Sequence, residues 1–129
     1  MLFVVPESGR EFEIPDDWWH FCEMVSWQRK SDFFPYSHAD SEDVELIDVT
    51  EIDPPSRGPG IAMFKKYKLV PVLLAFQSPE CELPPVVLTR PTAEHRLYTL
   101  RNGFHRFYAS VAAGYTHVPA KVLDKWYEA

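Results

Sequence analysis

Twelve prolines against five glycines leave this chain of 129 residues few places for a long regular element. Proline fixes its own φ, has no amide hydrogen to donate and clashes with the preceding turn of a helix. Each one therefore favours a helix end, a sheet edge or a loop. Even the longest apolar run, LVPVLLAF, is interrupted by Pro71. Short helices and strands joined by extended connections are expected, and no run approaches the ~20 apolar residues that cross a bilayer.

Apolar residues make up 46% of the chain, enough for a real core, and the length suits one domain, residues 1–129. Nineteen acidic against thirteen basic residues give a net charge of −6. That argues against a protein that coats nucleic acid by bulk attraction, while leaving room for a local basic patch. The two cysteines, Cys22 and Cys81, form no C-x-x-C arrangement, so a disulfide framework is not expected and a cytoplasmic location is. The opening residues carry neither the basic region nor the long apolar stretch of a secretory signal.

Periodicity predicts an α+β fold, a mixed sheet flanked by short helices. LFVVP and REFEIP read as a hairpin turning at Glu7-Ser8-Gly9. Pro15, Asp16 and Asp17 then suit a helix start, with Trp18, Phe21, Cys22 and Val25 at i, i+3, i+4 and i+7 as its buried stripe. Trp18 and Trp19 are expected to cover a sheet face; exposed, they would mark a protein-partner surface. Residues 29–43 read as a loop, VELIDVTEI as one strand, and DPPSRGPG as a loop. Ile61–Leu69 suggests a short helix and VLLAFQ after Pro71 a second. Strands follow at ELPPVVLTR and RLYTLR, a helix at FHRFYASVAAG and a last strand at THVPAKVL.

The chemistry concentrates at Asn102-Gly103-Phe104-His105-Arg106. Gly103 suits a tight strand-to-helix turn. The first amides of the helix lack intrahelical partners and lie at the positive end of its dipole, which suits an anion. Arg106 adds a planar fork for phosphate oxygens, and His105 a hydrogen-bond donor or a proton near neutral pH. The alternative is structural: Arg106 pairs with one of the acidic residues and His105 caps or packs. FKKYK, Phe64–Lys68, mixes basic and aromatic residues as single-strand binders do, but in so acidic a chain the solvated face of a helix is the favoured reading. The five histidines show no metal-ligand spacing.

From Val44 to Leu123 the chain resembles the ParB/sulfiredoxin-like superfamily. The resemblance rests on Pro84-Pro85-Val86-Val87, on Gly103-Phe104-His105-Arg106-Phe107-Tyr108-Ala109 as a G-x-x-R-x-x-A helix start, and on Gly114-Tyr115-Thr116-His117-Val118-Pro119-Ala120. It implies a 44–123 core with 1–43 as an N-terminal extension. It also implies a nucleoside triphosphate with Mg²⁺, the phosphates held by Asn102, Gly103, Phe104, His105 and Arg106 and closed over by Arg57. His105 is then the candidate catalytic residue of a slow phosphohydrolase; Glu80 and Glu94 are the carboxylates considered for the metal. Sulfiredoxins place a nucleophilic cysteine where Phe104 stands, so sulfinic-acid reduction is not expected. Two alternatives stay open: a non-catalytic accessory or antitoxin-like protein with a vestigial pocket, meeting a protein partner through the aromatic helix, and a ParB-like nuclease. DNA is the less favoured partner, since the second DNA-reading domain of partition proteins has no counterpart here.

Overall fold

The computed structural model describes residues 1–27, 35–38, 43–78 and 80–125, so most of the 29–43 loop lies outside the described residues. The chain folds as α+β. Leu2–Val4 (β1) and Glu11–Glu13 (β2) form the expected antiparallel hairpin, with Phe3 stacked on Phe12 at 5.4 Å between ring centroids. Phe12 in turn meets Tyr108 at 4.8 Å, which fastens the hairpin to the main body.

The next helix, Asp16–Phe21 (α1), starts at the acidic pair and is only six residues long. Glu23 takes a left-handed φ of 59°, and the chain turns into a 3-10 segment, Met24–Ser26. The expected i+7 stripe therefore never forms. Trp19, Cys22 and Met24 are buried, whereas Phe21 and Val25 are 66% and 65% exposed. Trp19 packs on Phe3 of the hairpin, with ring centroids 5.0 Å apart.

Val44–Asp48 (β3) and Ile52–Asp53 (β4) are two strands where the alternation suggested one. The Asp48 carboxylate accepts hydrogen bonds from the Thr50 amide at 2.9 Å and the Thr50 hydroxyl at 2.7 Å, which nucleates a 3-10 turn, Val49–Glu51. A short polar side chain that bonds the backbone two residues on competes well with a strand ladder. The break sends β3 and β4 to opposite edges of one sheet. With Val86–Thr89 (β5), Tyr98–Asn102 (β6) and His117–Leu123 (β7), the order is β3-β7-β5-β6-β4. Central β5 runs parallel to β7 and antiparallel to β6, and its Val86 and Leu88 are fully buried.

Lys66–Gln77 (α2) is a single helix that runs straight through Pro71 in place of the two expected. A proline inside a helix costs about 3 kcal/mol. Burying a large aliphatic or aromatic side chain returns about 1.5–3 kcal/mol, and α2 buries Leu69, Val70, Val72, Leu73 and Phe76 on both sides of the proline. Burial outweighs the lost hydrogen bond. The amide Pro71 lacks would have bonded the Tyr67 carbonyl four residues back, a position whose side chain is exposed.

Phe104–Ala113 (α3) is the most deeply set helix, with Phe107, Tyr108, Ala109 and Ser110 fully buried. The Tyr108 hydroxyl donates to the Pro55 carbonyl and so anchors the loop after β4, which carries Arg57. Tyr108→Phe should lower stability by about 1 kcal/mol, the net contribution of a typical hydrogen bond, measured by urea denaturation; an unchanged midpoint would show that water replaces the hydroxyl. Among the described residues, no helix is long and apolar enough to cross a membrane.

Candidate functional site

The strand β6 ends at Asn102, Gly103 turns the chain at φ 107° and ψ 30°, and α3 begins at Phe104. Only glycine fits this corner, for two reasons. The φ lies where L side chains are strained, and an added Cβ would stand 2.6 Å from Cγ1 of Val86 on the central strand. Among the described residues, no side chain caps the helix N-terminus.

In front of this corner lies an open cleft of about 500 Å³. Asn102 to Arg106 form one wall, together with Leu100 and Arg101 of β6. Pro55 and Arg57 come from the loop after β4, and Lys68 and Val72 from α2. Four basic residues, Arg57, Lys68, Arg101 and Arg106, line the cleft, and among the described residues no carboxylate does. In a chain with six more acidic than basic residues this is a strong local inversion of charge. Walls of low dielectric concentrate such a field and attract a polyanion.

The four cations play different parts. Arg106 is turned onto the backbone: Nη1 donates to the carbonyls of Pro84 at 2.6 Å and Pro85 at 3.0 Å, while Nη2 donates to Oδ1 of Asn102 at 2.9 Å. Its fork thus staples the proline-led entry of β5 to the start of α3, and Asn102 is engaged in the same staple. The Tyr36 hydroxyl also donates to the Pro84 carbonyl, at 2.8 Å. Arg101 reaches back along the sheet, Nε donating to Oγ1 of Thr89 at 3.3 Å. Arg57 is exposed and sits over the Phe104 ring, its Cζ 3.9 Å from the centroid. That is close cation–π contact, and it holds the guanidinium over the cleft. Phe104 thus serves as a platform.

His105 is buried, between Phe64 and Phe104 with ring centroids at 5.8 and 5.6 Å. Its Nε2 accepts the Lys65 amide at 3.1 Å, which joins the starts of α2 and α3. Burial, and then the positive charges of Arg57, Lys68 and Lys65, hold the imidazole pKa down to about 4. At neutral pH it is uncharged with Nδ1 as its protonated nitrogen, suited to donating a hydrogen bond and poorly suited to taking up a proton.

Sequence reasoning reached Arg57 and the Asn102–Arg106 run and missed Lys68 and Arg101 as members of the same cleft. Arg101 had a signal, since it immediately precedes the turn; Lys68 had one in FKKYK. Glu80 and Glu94 do not line the cleft. Among the described residues no group of three histidine, cysteine or acidic side chains is placed to hold a metal ion. The donor set does not fit a protein-held Mg²⁺, which asks for carboxylate oxygens. Both cysteines are free thiols, Cys22 buried and Cys81 exposed, and neither lines the cleft. No family model, curated protein or solved structure matches this chain.

Proposed function

We propose that the protein is a ParB/sulfiredoxin-like module that binds a nucleoside triphosphate, with the phosphates in the cleft at the start of α3. One observation carries the reading: among the described residues, four basic residues and no carboxylate line a cleft beside a helix N-terminus that has no side-chain cap, and two of them, Arg57 and Lys68, are exposed. Arg57, on its aromatic platform, and Lys68 are the residues that close on the phosphates. Arg106 shapes the seat by fixing Pro84, Pro85 and Asn102 around it. Magnesium enters as a counter-ion carried by the ligand.

The lining favours binding over turnover. Hydrolysis needs a group to orient or deprotonate water. His105 has its acceptor nitrogen on the Lys65 amide, the Asn102 oxygen is on Arg106, and the lining contributes no carboxylate. His105 therefore acts by positioning α2 against α3. The second reading, an accessory protein meeting a partner through its N-terminal segment, is favoured by the exposure of Phe21 and Val25.

Thermal shift with each nucleoside triphosphate, with and without Mg²⁺, separates the two. A ligand at a hundredfold excess over its Kd stabilises by about 2.7 kcal/mol, a rise of several degrees. Arg57→Ala and Lys68→Ala should abolish that rise while leaving the unliganded midpoint nearly unchanged, because both side chains are exposed. Arg106→Ala should lower the unliganded midpoint itself. If no triphosphate moves the midpoint under either condition, the nucleotide reading fails.

A further inference from the structure

The basic surface does not stop at the cleft. Lys65, Lys66, Tyr67 and Lys68 open α2 as a run of exposed side chains, and Tyr67 is 69% exposed. The Nζ atoms of Lys68 and Lys65 each stand 6.0 Å from the centre of the Tyr67 ring. Lys68 is also part of the cleft lining, so the tyrosine ring adjoins the cleft across a shared ammonium group.

An exposed ring flanked by ammonium groups, next to a phosphate seat, matches what single-stranded nucleic acids require: cations along the backbone and a flat face on which a base stacks. A terminal phosphate monoester carries a charge approaching −2 at neutral pH, against −1 for each phosphodiester within a strand, and a seat flanked by the exposed cations Arg57 and Lys68 favours the former. The acidic remainder of the molecule repels a long duplex and limits the contact to a strand end.

We propose that this surface binds the 5′-phosphorylated end of a single-stranded nucleic acid, the terminal phosphate entering the cleft and a neighbouring base stacking on Tyr67. The proposal rests on the reading of the cleft as a phosphate seat and extends it to a polymer. Arg57 and Lys68 hold the end group, Lys65 and Lys66 follow the next phosphates, and Tyr67 supplies stacking that tolerates any base.

The test is fluorescence anisotropy with a 3′-labelled oligothymidylate of ~8 nucleotides, a length within the usual span of such sites, with and without a 5′-phosphate. Thermal shift with nucleoside triphosphates is run alongside. The phosphorylated strand should bind at least tenfold more tightly than its 5′-hydroxyl twin. Tyr67→Ala should weaken the strand by roughly 5- to 100-fold, as loss of one stacked base does, and leave any triphosphate shift intact; Lys66→Ala should weaken the strand less. Equal affinity for the two strand ends, or no effect of Tyr67→Ala, would overturn the proposal while leaving nucleotide binding standing. If neither the phosphorylated strand nor any triphosphate binds, the phosphate seat and this extension fall together.

Discussion

Gly103→Ala should destabilise the protein by about 2–5 kcal/mol, the sum of a strained left-handed backbone and an overpacked core contact. Two separable effects produce this figure. A φ of 107° lies beyond the left-handed region that L residues visit, so alanine there is strained even in open space. The new Cβ would also stand 2.6 Å from Cγ1 and 3.0 Å from Cβ of Val86, a fully buried residue on the central strand that has no room to withdraw. Gly9→Ala is the control. Its φ is 70° with nothing within 4 Å of the added Cβ, so strain acts alone and about 1–2 kcal/mol is expected. Urea denaturation of the two variants reads the difference. Adding Val86→Ala to Gly103→Ala should make the pair less damaging than the sum of the single changes, since the second opens space for the first. Equal destabilisation of the two glycine variants would mean that α3 does not start against β5 as described.

The same contact explains how much of this protein was legible in its sequence. The turn at Gly103, helix α3 and its end at Gly114, the hairpin, and the strands at Val86, Tyr98 and His117 announce themselves through local chemistry, each by a glycine, a proline or an alternating pattern within a few residues. What could not be read depends on partners far along the chain. Pro71 breaks a helix in isolation, and α2 survives it because Leu69 and Leu73 are buried to completion in a core assembled from other elements. The stripe from Trp18 to Val25 has helical spacing, yet the chain leaves the helix at Cys22, so Phe21 and Val25 face outward. VELIDVTEI alternates as one strand, and the Asp48–Thr50 hydrogen bonds cut it in two.

The site divides along the same line. Asn102 to Arg106 are neighbours in sequence and remain neighbours in the cleft. Besides Asn102, the partners of Arg106 are the carbonyls of Pro84 and Pro85, more than twenty residues away, and backbone carbonyls leave no mark in side-chain patterning. An arginine behind a glycine turn suggests a ligand fork; the fold uses it as a staple and brings Arg57 and Lys68 to the cleft. Charge convergence of this kind is a product of topology. β4 and β6 pair side by side in parallel, which sets the loop that carries Arg57 beside the turn at Gly103.

Lowering the pH should expose the second large effect, through His105. In the folded protein the ring has a pKa of about 4, first because it is buried and then because Arg57, Lys68 and Lys65 oppose a further positive charge. In the unfolded chain it titrates near its ordinary value of about 6.5. Between these two values the unfolded state binds more protons than the folded one, so stability must rise with pH across that window. Folding is unpenalised above pH ~6.5 and loses stability as the pH falls toward 4, by on the order of 3 kcal/mol in total. His105→Gln keeps an acceptor for the Lys65 amide and removes the titration. Carboxylates titrate in both proteins, so the difference between the two stability profiles isolates the histidine. Urea midpoints at pH 7 and pH 4.5 should separate strongly for the parent and clearly less for the variant. Identical profiles would show that His105 is not the buried neutral group joining α2 to α3. A polyanion in the cleft changes the sign of the local field: with Arg57 and Lys68 neutralised, the proton on His105 is opposed less, its pKa rises, and by linkage the anion binds more tightly as the pH falls.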